Sequence, residues 1–166
     1  ATVRDGEPGI EWFEEPVPPE GLDALRTVRR QVQARLCVGE RLLTRWDFVP
    51  IFQEGLADYV MPDVVWTGGI SEIKKIAAMA EAYYVPVSPH KAMGALQVVA
   101  GAHGMMGVPN CYRLEYSTMA IPAYNAVLTE DIDFCAGDLY LSDRPGLGVE
   151  LDLDYLEANL HPAWRN

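Results

Sequence analysis

The chain has 166 residues, 49% of them hydrophobic, which is enough to fill a core. A formal net charge of −11 and a pI near 4.6 exclude nucleic acid and anionic membrane surfaces as partners, since either requires a basic face. No apolar run approaches the roughly 18 residues of a membrane span and no basic-then-apolar leader opens the chain, so the expectation is an acidic cytoplasmic enzyme.

The opening "ATVRDGEPG" is turn-rich and lacks methionine, as expected of a piece that joins a longer protein partway. "IEWFEEPVPPE" then sets a strand against two carboxylates, Glu14 and Glu15, and three prolines end its ladder. "PEGLDALRTVRRQ" places Leu22, Leu25 and Val28 on one helical face, and "ARLCVGE" is a second strand ending in Glu40. "TRWDFVPIFQEG" starts a helix on Thr44 as N-cap with Phe48, Ile51 and Phe52 facing inward, and "ADYVMPD" is a strand ending in Asp63. "SEIKKIAAMAEAY" starts on Ser71 with Ile73, Ile76, Ala77 and Ala80 on one side, and "YYVPVSPH" ends in His90. "GALQVVAGAHGMM" reads as a small-residue helix suited to close packing on a sheet, and "CYRLE" ends in Glu115.

Five strand-to-helix units therefore recur about every 25 residues, a βα spacing that demands a parallel sheet. Strands that each finish on an ionisable residue predict an α/β barrel of the TIM type, whose strand ends converge on one mouth. Such a barrel takes about 250 residues, so residues 1–120 read as its C-terminal part. Residues 121–166, with turns such as "DRPGLGVELD" and a short helix near "LDYLEANL", read as a closing extension without a domain of their own. An open sheet of this kind has two edge strands, which leads to the expectation of a homo-oligomer.

Glu14 and Glu40 on neighbouring strands form a hard-oxygen pair suited to Mg²⁺ rather than zinc, with a third ligand still required. Alternation puts Trp12 and Glu14 on one face and Phe13 and Glu15 on the other. Glu14 is then the ligand if Phe13 packs on the outer helices. The bland alternative is that both glutamates only end strands in solvent. Asp63 and His90 end adjacent strands, so the carboxylate can orient the imidazole as a proton-abstracting base. Glu115 faces the glutamates across the mouth and, protonated, would donate a hydrogen bond to a developing oxyanion; an ion pair with Arg113 is the competing reading. Lys91 reads as a loop lysine, and His103 and His161 receive no role. Cys37, Cys111 and Cys135 show no zinc or disulfide spacing and are expected to be reduced and mostly buried.

The ordered set "FEEP", "VGE", "MPD" with "TGGISE", "SPH" and "LEY", running from about residue 10 to "PGLGVELD", resembles the enolase superfamily. Within it the chain is similar to the mandelate racemase subgroup and its galactonate-type acid-sugar dehydratases. The resemblance implies the C-terminal portion of a (β/α)7β barrel, with Glu14 and Glu40 as Mg²⁺ ligands, Asp63 and His90 as acid/base dyad, and Glu115 against the substrate carboxylate. It further implies a small-molecule carboxylate substrate, a sugar acid, that loses its α proton and then its β-hydroxyl. Other family parts fall outside this chain: a first Asp ligand, a Lys-x-Lys base motif and an N-terminal capping domain. Lys74 and Lys75 lie in a helical pattern and do not replace that motif. A racemase, epimerase or cycloisomerase on the same scaffold, or a half-barrel without catalysis, are the alternative expectations.

Overall fold

The computed structural model describes residues 9–92 and 94–164. The turn-rich opening, residues 1–8, lies outside them. Three strands, β1 (Phe13–Glu14), β2 (Leu36–Val38) and β3 (Tyr59–Val60), pair in parallel and in chain order. Cys37 opposes Glu14 on one side and Tyr59 on the other. Two further parallel lanes join through the bridges Val60–Val87 and Val87–Cys111, so the described sheet runs through all five expected strands.

Helices return the chain between lanes: α1 (Leu22–Gln31), α2 (Arg45–Gln53), α3 (Ile70–Ala82) and α4 (Ala95–Met105). The side chains along β2 and β3 alternate with a period of two. Leu36, Val38 and Val60 enter a helix-side core with Leu25, Phe48, Ile51, Phe52, Ile73 and Ile76, all buried. Cys37, Tyr59 and Met61 face the other way and pack with Trp12, whose ring centroid lies 5.1 Å from that of Tyr59. The helix faces predicted from sequence are thus the buried ones.

One helix starts where expected and another does not. Thr44 stands at the N-cap of α2 but its side chain makes no cap hydrogen bond; the Asp47 carboxylate instead accepts from the Leu43 N–H at 2.9 Å. α3 begins before Ser71, with Gly69 as N-cap at φ 97°, a backbone that serine would adopt only under strain. The small-residue helix α4, expected to pack closely on a sheet, approaches α3 closely at Gly104, where a Cβ would stand 3.0 Å from Ile73 Cγ2.

Gly39 directs the chain into the mouth. It has φ 133°, and a Cβ there would meet Phe48 Cε1 at 2.8 Å and the Met61 amide nitrogen at 3.2 Å. Gly39→Ala combines overpacking with backbone strain, and we predict a loss of about 3 kcal/mol in the full-length protein, read by urea unfolding.

Beyond residue 115 a second core joins α4 to α5 (Ile121–Asn125) and the chain after it, through Val98, Val99, Tyr124, Leu128 and Ile132. An antiparallel hairpin of β4 (Asp133–Cys135) and β5 (Asp138–Tyr140) turns at Ala136 and Gly137, both at positive φ. Strands of three residues with mixed exposure leave no period-two pattern in the sequence, where only turns are expected. α6 (Leu153–Ala158) falls within the expected terminal helix, capped by the Asp152 carboxylate on the Tyr155 N–H at 2.8 Å. The three cysteines are unbridged; Cys37 is buried, but Cys111 and Cys135 are exposed, contrary to the expectation of mostly buried thiols. No helix among the described residues is long and apolar enough to cross a membrane.

Candidate active site

Parallel lanes in chain order put the residues that follow each strand at one end of the sheet. Glu14 ends β1 and accepts from Trp12 Nε1 at 2.9 Å, on the Cys37 and Tyr59 face. Glu15 turns the other way, at φ 39°, where it accepts the Gly39 N–H at 2.6 Å and a fork from Arg41 at 2.7 and 3.0 Å. The alternation therefore stands, with Arg41 marking Glu15 as the outward member. Its stated condition is not met, because Phe13 is 46% exposed on the edge strand rather than packed beneath a helix.

Glu40 follows Gly39 and brings Oε2 to 3.2 Å from His90 Nε2. Burial pushes the Glu40 carboxyl above its ordinary range; His90 pulls it down, and the charges of Glu15 and Glu14 push it up again. Beneath them the Cys37 thiol is pushed far up, first by burial and then by Glu14, Glu15, Glu115 and Glu40. Four carboxylates thus project negative potential onto one buried atom. Such a field and hard oxygens suit a divalent cation such as Mg²⁺. No group of three or more His, Cys, Asp or Glu poised to hold a metal occurs among the described residues; Glu14 and Glu40 are two candidate donors toward a shell of six.

Asp63 has no exposed surface. Its Oδ1 accepts the Val65 and Trp66 N–H groups at 2.7 and 3.1 Å, which closes the turn after β3. Its Oδ2 accepts from His90 Nδ1 at 2.8 Å and from the Gln97 side-chain amide. With Nδ1–H committed to a carboxylate, Nε2 is the atom left to exchange a proton. That nitrogen lies between Glu40 at 3.2 Å and Glu115 at 4.0 Å.

Glu115 accepts the Lys91 backbone N–H at 3.1 Å. Its competing reading, a pair with Arg113, is not realised: Arg113 bonds Glu11 at 2.9 Å and lies 4.2 Å from the Tyr112 ring centroid. Lys91 lies in a loop, as expected, but is buried there. It is 4% exposed, its Nζ has no hydrogen-bond partner among the described residues, and it sits 3.3 Å from the Tyr124 ring centroid. Burial lowers its pKa while Glu115 opposes the shift. His103 Nε2 hydrogen-bonds the Leu147 carbonyl at 3.1 Å.

A model of the enolase C-terminal domain-like family matches residues 2–155. The chain belongs to that family. D-xylonate dehydratase of Haloferax volcanii is 32% identical over 149 residues, 90% of this chain and 36% of its own length. D-galactarolactone cycloisomerase of Agrobacterium fabrum is 35% identical over 156 residues, covering 89% and 41%. A solved mandelate racemase/muconate lactonizing enzyme-like protein from Rubrobacter xylanophilus is 39% identical with a TM-score of 0.84, covering 92% of this chain and 39% of that one. The chain spans well under half the length of each of these relatives. In the terms of the enolase C-terminal family, its five lanes are part of the barrel wall.

Gln97 escaped the sequence reading. It is 4% exposed on α4 and reaches Asp63 through its amide and the Ala92 N–H through Oε1, at 3.1 Å. One signal was available: a lone amide amid Ala, Leu and Val in "GALQVVAGAHG". Buried polar groups require partners, and such a residue in an apolar helix points to one.

Proposed function

We propose that this chain supplies a metal-binding and proton-transfer half of a Mg²⁺-dependent enzyme that dehydrates a sugar acid. The observation that carries this reading is the orientation of His90, held through Nδ1 by buried Asp63 while Nε2 faces Glu40 and Glu115. Glu14 and Glu40 would hold the cation, whose charge would favour the negative charge that builds on the substrate carboxylate when the α C–H bond breaks. His90 Nε2 takes the α proton, and Asp63 favours the imidazolium so formed. The imidazolium can pass that proton to the departing β-hydroxyl. The C–H and C–O bonds break, a C=C bond forms, water leaves, and the enol collapses to a 2-keto acid. Glu115, at the same mouth, contacts the substrate carboxylate.

The test is a panel of sugar acids offered to the full-length protein with Mg²⁺. The expected outcome is a 2-keto acid product, read as its semicarbazone, at roughly 1 s⁻¹ or more for at least one acid. Failure of every acid to form product or to exchange its α proton with D₂O would overturn the reading. The similarity to a cycloisomerase favours a second reading, in which the proton moves but no hydroxyl is lost. Deuterium incorporation without 2-keto acid would select it.

A further inference from the structure

Accepting the reading of Asp63 and His90 as the proton-transfer pair, we propose that Gln97 is the positioning residue of that pair. It fixes which Asp63 oxygen receives the His90 Nδ1–H and ties the segment that carries His90 to α4.

Asp63 is a carboxylate without access to solvent, so every lone pair it uses must be met by a protein donor. Oδ1 is occupied by the Val65 and Trp66 N–H groups. Oδ2 takes two donors, His90 Nδ1 and Gln97 Nε2. With Oδ1 held by the turn and Oδ2 held by Gln97, the carboxylate plane is set before the imidazole is counted. Gln97 Oε1 simultaneously accepts the Ala92 N–H at 3.1 Å, two residues past His90. Only one orientation of the amide satisfies both ends, with NH₂ toward the carboxylate and the carbonyl toward the backbone donor. A single buried side chain therefore holds the acceptor of the histidine bond and the backbone beside the histidine. Gly94, two residues past Ala92, has φ 130° and nothing within 4 Å of a Cβ built on it. If Gln97 is lost, Oδ2 keeps one donor and the Ala92 N–H loses its Gln97 acceptor. His90 Nε2 then shifts relative to Glu40 and Glu115, and displacements of about 1 Å at a reacting group cost on the order of 10²-fold in rate.

The experiment uses the full-length protein with ¹⁵N-labelled histidine and Gln97→Met, which keeps the length of the side chain and removes both polar ends. The His90 Nδ1–H resonance, identified by its disappearance in His90→Asn, is expected to move, because its acceptor has changed. Turnover is expected to fall about 10- to 100-fold with KM within about threefold, as for other outer-shell supports. Should Gln97→Met fail to fold, Gln97→Glu, which keeps side-chain size and an acceptor for the Ala92 N–H, is read in the same way. A folded variant in which the resonance stays in place, or in which it moves while turnover is unchanged, overturns the proposal. The resonance is recorded without substrate. Were the unmodified protein inactive on every acid, the proton-transfer reading would fall, and the resonance alone would decide whether Gln97 positions the pair.

Discussion

His90→Asn in the full-length protein will lower sugar-acid turnover by about 10² to 10⁴-fold, the range that a positioned proton carrier contributes. Asparagine retains a polar group near Asp63 but has no atom that can take a proton where Nε2 stands. The fold should survive, because His90 lies outside the helix-side core and asparagine keeps a side-chain donor beside Asp63. Loss of α-proton exchange into D₂O must accompany loss of product, since the two share one proton acceptor. Asp63→Asn should do less damage to turnover and more to stability, because Asp63 also closes the turn through Val65 and Trp66. A His90→Asn protein that exchanges and dehydrates at the unmodified rate would remove the dyad from the mechanism.

Glu40→Gln is the second large effect. The substitution leaves shape and hydrogen-bonding reach nearly intact but removes one of two charges proposed to hold Mg²⁺. Supports around a metal ligand cost 10- to 100-fold when lost, so the ligand itself should weaken Mg²⁺ binding by at least about 10²-fold. Calorimetric titration of Mg²⁺ measures this without substrate. Glu15→Gln is the matched control. Glu15 lies one residue from Glu14 in sequence but is engaged by Arg41 and the Gly39 N–H. It should leave Mg²⁺ affinity within a few-fold and lower stability instead. Equal loss of affinity at Glu15 and Glu40 would show that the whole acidic field, rather than ligation by Glu14 and Glu40, attracts the cation.

The sequence by itself determined the strand-end series Glu14, Glu40, Asp63, His90 and Glu115, together with the buried faces of three helices. These features rest on short-range rules: alternation along a strand, a 3.6-residue helical period, and a βα repeat that makes sequential parallel strands neighbours. The contact between Asp63 and His90 follows from that order, since their lanes are bridged directly. Tertiary structure alone decided how the remaining polar groups pair. Arg41 selects Glu15 across 26 positions, Glu11 captures Arg113 across 102, and Gln97 reaches Asp63 across 34. The burial of Lys91 over Tyr124, and the short hairpin after residue 132, belong to the same class. None of these leaves a periodic trace, because a long polar side chain can meet any partner its backbone position brings within reach. Partner choice is set by packing distance and by the penalty for burying an unpaired group, and both exist only once the chain has folded.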